Sequence, residues 1–283
     1  LTNSTKVAQP ADDYVWTKSG ARLLQVTNNQ GKNWLFVPAP GLGSESLTEL
    51  VTLLQSHIQG SLWMLDYPND GSNIGRNLNF ANWSQALIEA TIMLDRPILV
   101  GHSTGAMFIQ SIPELEQLAA GFVFMDTAPD MAWKKTFEQH MQQNITKAIS
   151  DCANQYANNP SNETLRDLLI ASLKFCFMPK SLNSGIKMME KLPINHMPAD
   201  WSDQHFDPTY EAKFIPKSLP TLIMAGEYDQ ITPIVVYTEK SEYHRKNILI
   251  ESISNAGHYP WLDNSEGVLQ VFLKFVSYIK KPV

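Results

Sequence analysis

The stretch PILVGHSTGAMF, residues 97–108, decides how this chain is read. An apolar run at 98–100 leads into Gly101-His102-Ser103-Thr104-Gly105, and a helix-compatible run leads out. That is the pattern of a buried strand turning sharply into a helix, with Ser103 at the apex. Glycine on both sides lets a strained turn close and present the hydroxyl outward. Ser103 is therefore either a nucleophile or a serine in a tight turn, and the choice rests on whether the rest of the chain supplies it with partners.

Outward from this stretch, strand and helix patterns alternate. DYVWTKSGARLLQVTNN and NWLFVPAPG read as two or three short strands with Asn/Gly joints, LTELVTLLQSHI as a helix, SLWMLD as a strand and NWSQALIEATIMLD as a helix. After the quoted strand come AMFIQSIPELEQLA as a helix and GFVFMD as a strand. This rhythm predicts an α/β fold, a mostly parallel central sheet with crossover helices on both faces. It breaks near Met131 and resumes near Leu219 with LPTLIMAGE. Between them lie three helical patterns, KKTFEQHMQQNITKAISDCANQYA, ETLRDLLIASLKFCF and LNSGIKMMEKL, and an irregular, aromatic and Pro-rich ending, PINHMPADWSDQHFDPTY. The division predicted is a core of residues 1–130 and 218–283 and a helical cap insertion at 131–217. Ligand sites in open α/β sheets lie outside the carboxyl ends of the strands, where this insertion starts and returns, so it reads as a lid.

Composition narrows the function. A formal net charge of -6 with no dense Lys/Arg tract lacks the electrostatic footprint of a nucleic-acid binder. No apolar run approaches the roughly 20 residues of a membrane span, so a soluble chain is expected. LTNSTKVAQPADD, at the start, lacks an initiator Met and an apolar signal core, which reads as a targeting segment removed or not included. Asn-x-Ser/Thr sites begin at Asn3, Asn82, Asn144 and Asn162, about as many as so much Asn gives by chance, and the compartment stays open with the cytoplasm favoured. Cys152 and Cys176, the only cysteines, are expected to be free. The other histidines, His57, His140, His196, His205 and His244, form no ligand cluster and no phosphate loop occurs, so neither metal nor cofactor is expected.

A serine hydroxyl needs a base to take its proton, and the base needs a carboxylate to fix its tautomer. His258 lies in SNAGHYPWLDN, a turn-prone loop after the apolar run NILIESI. Asp229 lies in LPTLIMAGEYDQITP, after the strand TLIM and a Gly-containing turn. Asp126, ending GFVFMD, is the rival acid. Asp229 is preferred, because the order Ser103, Asp229, His258 matches one of the known triad scaffolds. His102 reads as elbow packing and Asp66 as a structural turn residue.

With these motifs in place, the sequence resembles the α/β-hydrolase-fold serine hydrolases over nearly its whole length, through PAPGLG, GHSTG, AGEYDQITP and AGHYPWLD. The resemblance implies that Ser103 attacks an acyl carbonyl, His258 acts as base and then acid, Asp229 orients it, and water later hydrolyses an acyl-enzyme. It implies oxyanion donors at Thr104 and, in the loop after the third strand, at Leu42, with Gly43 or Ser44 as alternatives. Many members have His-Gly where this chain has Pro40-Gly41. The expected substrate is a small to medium, partly apolar carboxylic ester or amide, with Met131, Trp133 and Trp201, and also Phe177 and Phe206, as candidate walls. The segment HFDPTYEAKFIPKSLPTLIMAGEYD looks similar to proline-iminopeptidase-type hydrolases, which hold a substrate amine with acidic cap groups; Glu138, Glu163, Glu190 and Asp203 are the candidates here. Hydroxynitrile-lyase or carbon-carbon hydrolase chemistry and a non-catalytic hydrolase-fold binding protein are the alternatives, and a monomer or weak homodimer is expected.

Overall fold

Apolar runs buried along their whole length build the centre of one sheet. A computed structural model describes residues 14–75 and 78–280; the Asn3 site and the opening residues read for targeting lie outside them. The strands are β1 (Tyr14–Trp16), β2 (Arg22–Gln25), β3 (Asn33–Val37), β4 (Ser61–Asp66), β5 (Ile98–His102), β6 (Gly121–Met125), β7 (Thr221–Gly226) and β8 (Ile248–Ile253). They lie in the order β1-β2-β4-β3-β5-β6-β7-β8. β2 is antiparallel to β1 and β4, and every other pair is parallel. The carboxyl ends of β3 to β8 therefore open on one edge.

Trp34, Phe36, Val100, Met125 and Met224 face the helices Thr48–Leu54 and Ser265–Ile279. Their neighbours Leu35, Val37, Leu99, Phe124 and Ile223 face Trp83–Met93 and Thr104–Gln110. Burial on both faces explains why these strands read as unbroken apolar runs. The helix expected over AMFIQSIPELEQLA is instead two, Thr104–Gln110 and Leu115–Leu118, because Pro113 cannot continue the first.

The long β6–β7 crossover leaves the core at Asp130 and returns at Glu211, which pair as an isolated antiparallel bridge. KKTFEQHMQQNITKAISDCANQYA forms two helices, Ala132–Asn144 and Lys147–Asn158, because Ile145 is extended and the Thr146 side chain caps the second. The ending expected to be irregular is largely helical, with His196–Trp201 followed by a wide turn at Ser202–Phe206. Asn195 caps it by accepting the Met197 N–H, and Pro198 falls in the first turn, where its missing N–H costs nothing. Cys152 and Cys176 are free.

Candidate active site

Ser103 sits directly after β5 with φ 54° and ψ −127°, a backbone region that costs a non-glycine residue about 1–3 kcal/mol. The surroundings impose it: the Ser103 N–H donates to Met125 O at 2.9 Å and Thr127 Oγ1 donates to Ser103 O at 2.9 Å. Both flanking glycines are required by close approach. A Cβ at Gly101 would lie 2.5 Å from Ala106 Cα, and one at Gly105 would lie 2.4 Å from the carbonyl oxygens of Val37 and Pro38. The second contact sets the loop after β3 beside the elbow.

His258, in the loop after β8, meets Ser103 Oγ through Nε2 at 3.1 Å and Asp229 Oδ2 through Nδ1 at 2.9 Å. Asp229 stands just beyond β7, is fully buried, and accepts the N–H groups of Ile231 (2.9 Å) and Thr232 (3.2 Å) and the Thr232 hydroxyl (3.0 Å). Burial alone would raise its pKa, but His258 and these donors outweigh it and hold the carboxyl below 3.8. An ionised Asp229 accepting from Nδ1–H leaves Nε2 bare towards the serine, the tautomer in which imidazole is a base.

Asp126 lies beneath this pair. Its Oδ1 accepts the Gly226 N–H at 2.9 Å, while its Oδ2 is buried without a partner among the described residues. Burial first, and the Asp229 charge second, raise its pKa well above 3.8, which favours its neutral form. Asp126, Asp229 and His258 bring potential ligand atoms within 4.8 Å of one another, but the hydrogen bonds above account for the Asp229–His258 contact without a cation. His102 hydrogen-bonds His258 O at 2.8 Å and packs against Tyr259 and Trp261. Burial brings its pKa down to about 3, so the ring is neutral and Nε2–H is the donor.

Sequence reasoning missed how the insertion holds the histidine loop. Cys176 O accepts the His258 N–H at 2.8 Å, and Phe177 stacks on Tyr259 with ring centres 5.0 Å apart. Asp263 accepts N–H groups from both sides, Gly257 at 2.8 Å and Met178 at 3.2 Å. The contacts that reach across to Cys176, Phe177 and Met178 join residues some eighty apart, which no local pattern announces.

The loop after β3 is held from below. Gly41, at φ 86°, donates its N–H to both oxygens of Asp70 at 3.1 and 3.0 Å, and Ser44 donates its N–H to Asp66 Oδ1 at 2.7 Å. Ser44 is thereby removed as a free donor. The N–H groups of Leu42, Gly43 and Thr104 have no acceptor among the described residues. Asp66 also pairs with Arg22 at 2.6 Å, the structural role expected of it.

Asp70 is fully buried, and burial, reinforced by Asp66 and Glu45, raises its pKa to about 7 against the pull of the Gly41 and Gly71 N–H groups. A raised carboxyl contributes stability that is full below its unfolded pKa of 3.8 and is lost as the pH climbs through about 7. Each pKa unit is worth about 1.4 kcal/mol. We expect Asp70→Asn to gain in melting temperature on the parent protein between pH 5 and pH 8. Thermal scans across that range check it, and parallel curves for the two proteins would contradict it.

Of the candidate wall residues, Met131 and Trp133 pack with Phe206 against Met107, Ala128 and Tyr210, and Met107 lies one turn along the helix that Ser103 opens. Trp133 Nε1 is buried without an acceptor among the described residues. Trp201 instead packs edge-on against Phe80, with ring centres 5.4 Å apart, beside Trp83 and Phe108. Glu138, Glu163, Glu190 and Asp203 are all exposed.

A mostly parallel eight-stranded sheet with a strained strand-to-helix turn after its fifth strand is the architecture of the α/β-fold hydrolases. Residues 34–271 match the model of the alpha/beta hydrolase family, and the chain belongs to that family. No curated protein sequence matches it. Similar solved structures include a proline iminopeptidase-related protein from Thermus thermophilus, with a TM-score of 0.68, 18% identity and coverage of 95% of this chain and 98% of that one. A thermophilic esterase from Thermogutta terrifontis has a TM-score of 0.62 and 15% identity over 95% and 98%. An epoxide hydrolase from Bacillus megaterium has a TM-score of 0.61 and 14% identity over 93% and 99%. At these identities the likeness is one of fold. No helix among the described residues is long and apolar enough to cross a membrane.

Proposed function

We propose that the protein is a serine hydrolase that cleaves a carboxylic ester or amide of a small to medium, partly apolar substrate through an acyl-enzyme. The observation that carries this reading is the continuous Ser103–His258–Asp229 hydrogen-bonded chain, at 3.1 and 2.9 Å, on a strained elbow. Ser103 Oγ attacks the acyl carbon as its proton passes to His258 Nε2, and the imidazolium is stabilised by Asp229. The carbonyl oxygen becomes an oxyanion received by the free N–H groups of Thr104 and of Leu42 or Gly43. His258 then protonates the leaving alcohol or amine. Water, deprotonated by His258, attacks the acyl-enzyme, and the proton returns to Ser103 as the acid departs.

The epoxide hydrolase likeness does not extend to chemistry on this reading. Ring opening by a carboxylate leaves an ester that water can cleave, whereas a serine would leave an ether that it cannot. The exposure of Glu138, Glu163, Glu190 and Asp203 leaves no buried acid among those candidates to hold a substrate amine. Met131, Trp133 and Phe206 supply an apolar wall, and the helical insertion acts as the cap over the strand ends. We expect saturable turnover of p-nitrophenyl esters of short acids, faster than that of aminoacyl p-nitroanilides. Folded protein that turns over neither, yet binds such compounds, would favour a receptor on the same fold.

A further inference from the structure

The loop after β3 carries two free N–H groups between two anchored residues. Gly41 is bound on both sides: its N–H goes to Asp70, and its carbonyl accepts the Asn195 N–H at 2.9 Å. Ser44 is bound to Asp66 at 2.7 Å. Between them, the N–H groups of Leu42 and Gly43 are without acceptors among the described residues. Asp70 itself sits in the turn after β4, where it also accepts the Gly71 N–H at 2.6 Å, and Asn195 ties that turn to the insertion by donating its side-chain amide to Asn69 O at 2.8 Å.

A fully buried carboxyl is costly unless hydrogen bonds or an opposite charge offset its lost hydration. Asp66 and Glu45 repel its charge, Tyr67 faces it, and the nearby guanidinium of Arg22 is committed to Asp66. Its Oδ atoms are spent on the main-chain N–H groups of two glycines. At position 40, proline has neither an N–H nor a side-chain donor with which to brace the loop, so bracing must come from elsewhere. A carboxylate acceptor makes roughly twice as strong a hydrogen bond as a neutral one.

We propose that Asp70 is a positioning residue for the hydrolysis: by gripping Gly41 from beneath, it holds the Leu42 and Gly43 N–H groups in place to receive the oxyanion. The inference rests on the hydrolase reading above. Misplacing one oxyanion donor costs about a hundredfold in kcat. On a p-nitrophenyl ester at pH 8, Asp70→Ala should therefore lose about a hundredfold in kcat with KM nearly unchanged, and Asp70→Asn, which keeps one acceptor, only about three- to tenfold. Inhibition by a boronic acid, whose serine adduct places an oxygen in the same hole, should weaken in proportion to kcat/KM. Backbone hydrogen exchange at residues 41–44 should accelerate in both variants.

A folded Asp70→Ala with parental kcat, or with the loss confined to KM, overturns the assignment. Should the alanine variant not fold, Asp70→Asn decides the matter, since unchanged kcat and unchanged exchange at 41–44 overturn it. An inert parent protein would overturn the hydrolase reading itself. Exchange at 41–44 then still tests the grip of Asp70, and no change there overturns that too.

Discussion

Ser103→Ala should lower kcat on an activated ester by at least about 10⁴-fold, because removing the nucleophile of such a triad leaves only binding and the oxyanion donors. The substitution leaves the fold alone. Its backbone can keep the same conformation, and among the described residues the Ser103 hydroxyl bonds only His258. Steady-state turnover beside a thermal scan measures both expectations. A folded alanine variant with more than a few per cent of parental activity would put the nucleophile elsewhere.

The second large effect separates two acids that lie close together. In Asp229→Asn the side-chain oxygen can still accept from Ile231 and Thr232, while its NH₂ replaces the oxygen facing His258 Nδ1. The imidazole is then held with its proton on Nε2, facing Ser103, and has no lone pair with which to take the serine's proton. A loss of about 10⁴-fold in kcat is expected from the wrong tautomer. Asp126→Asn removes a carboxyl whose neutral form burial favours and keeps the acceptor for Gly226, so its loss should stay below about tenfold. Kinetics of the two variants side by side decide the assignment, and a reversed ranking would make Asp126 the partner of His258.

That contrast also marks where the sequence stops being legible. The elbow can be read because physical necessity is written into it: Gly101 and Gly105 stand where a Cβ would strike backbone 2.5 and 2.4 Å away. The sheet is legible because the central strands, buried on both faces, are continuously apolar, and Ser103, Asp229 and His258 could be named as candidates because each follows a strand pattern. Asp70 was missed because a carboxyl gripping main-chain N–H groups has no residue-type signature at the other end; a second Asp in DYPNDGSN was the only available hint. The clamp of Cys176 on His258 is likewise main-chain, and the insertion's helix boundaries turned on caps at Thr146 and Asn195 inside polar stretches with weak periodicity.

The central claim is that Ser103 is an activated nucleophile, and a fluorophosphonate probe tests it most directly because it reports attack by the serine without assuming a substrate. Intact-mass measurement of the parent protein, Ser103→Ala and His258→Ala after exposure to the probe should show one adduct per parent chain, carried by the peptide containing residue 103, and none in either variant. Folded parent protein that takes up no probe, or labelling that survives Ser103→Ala, would contradict the account.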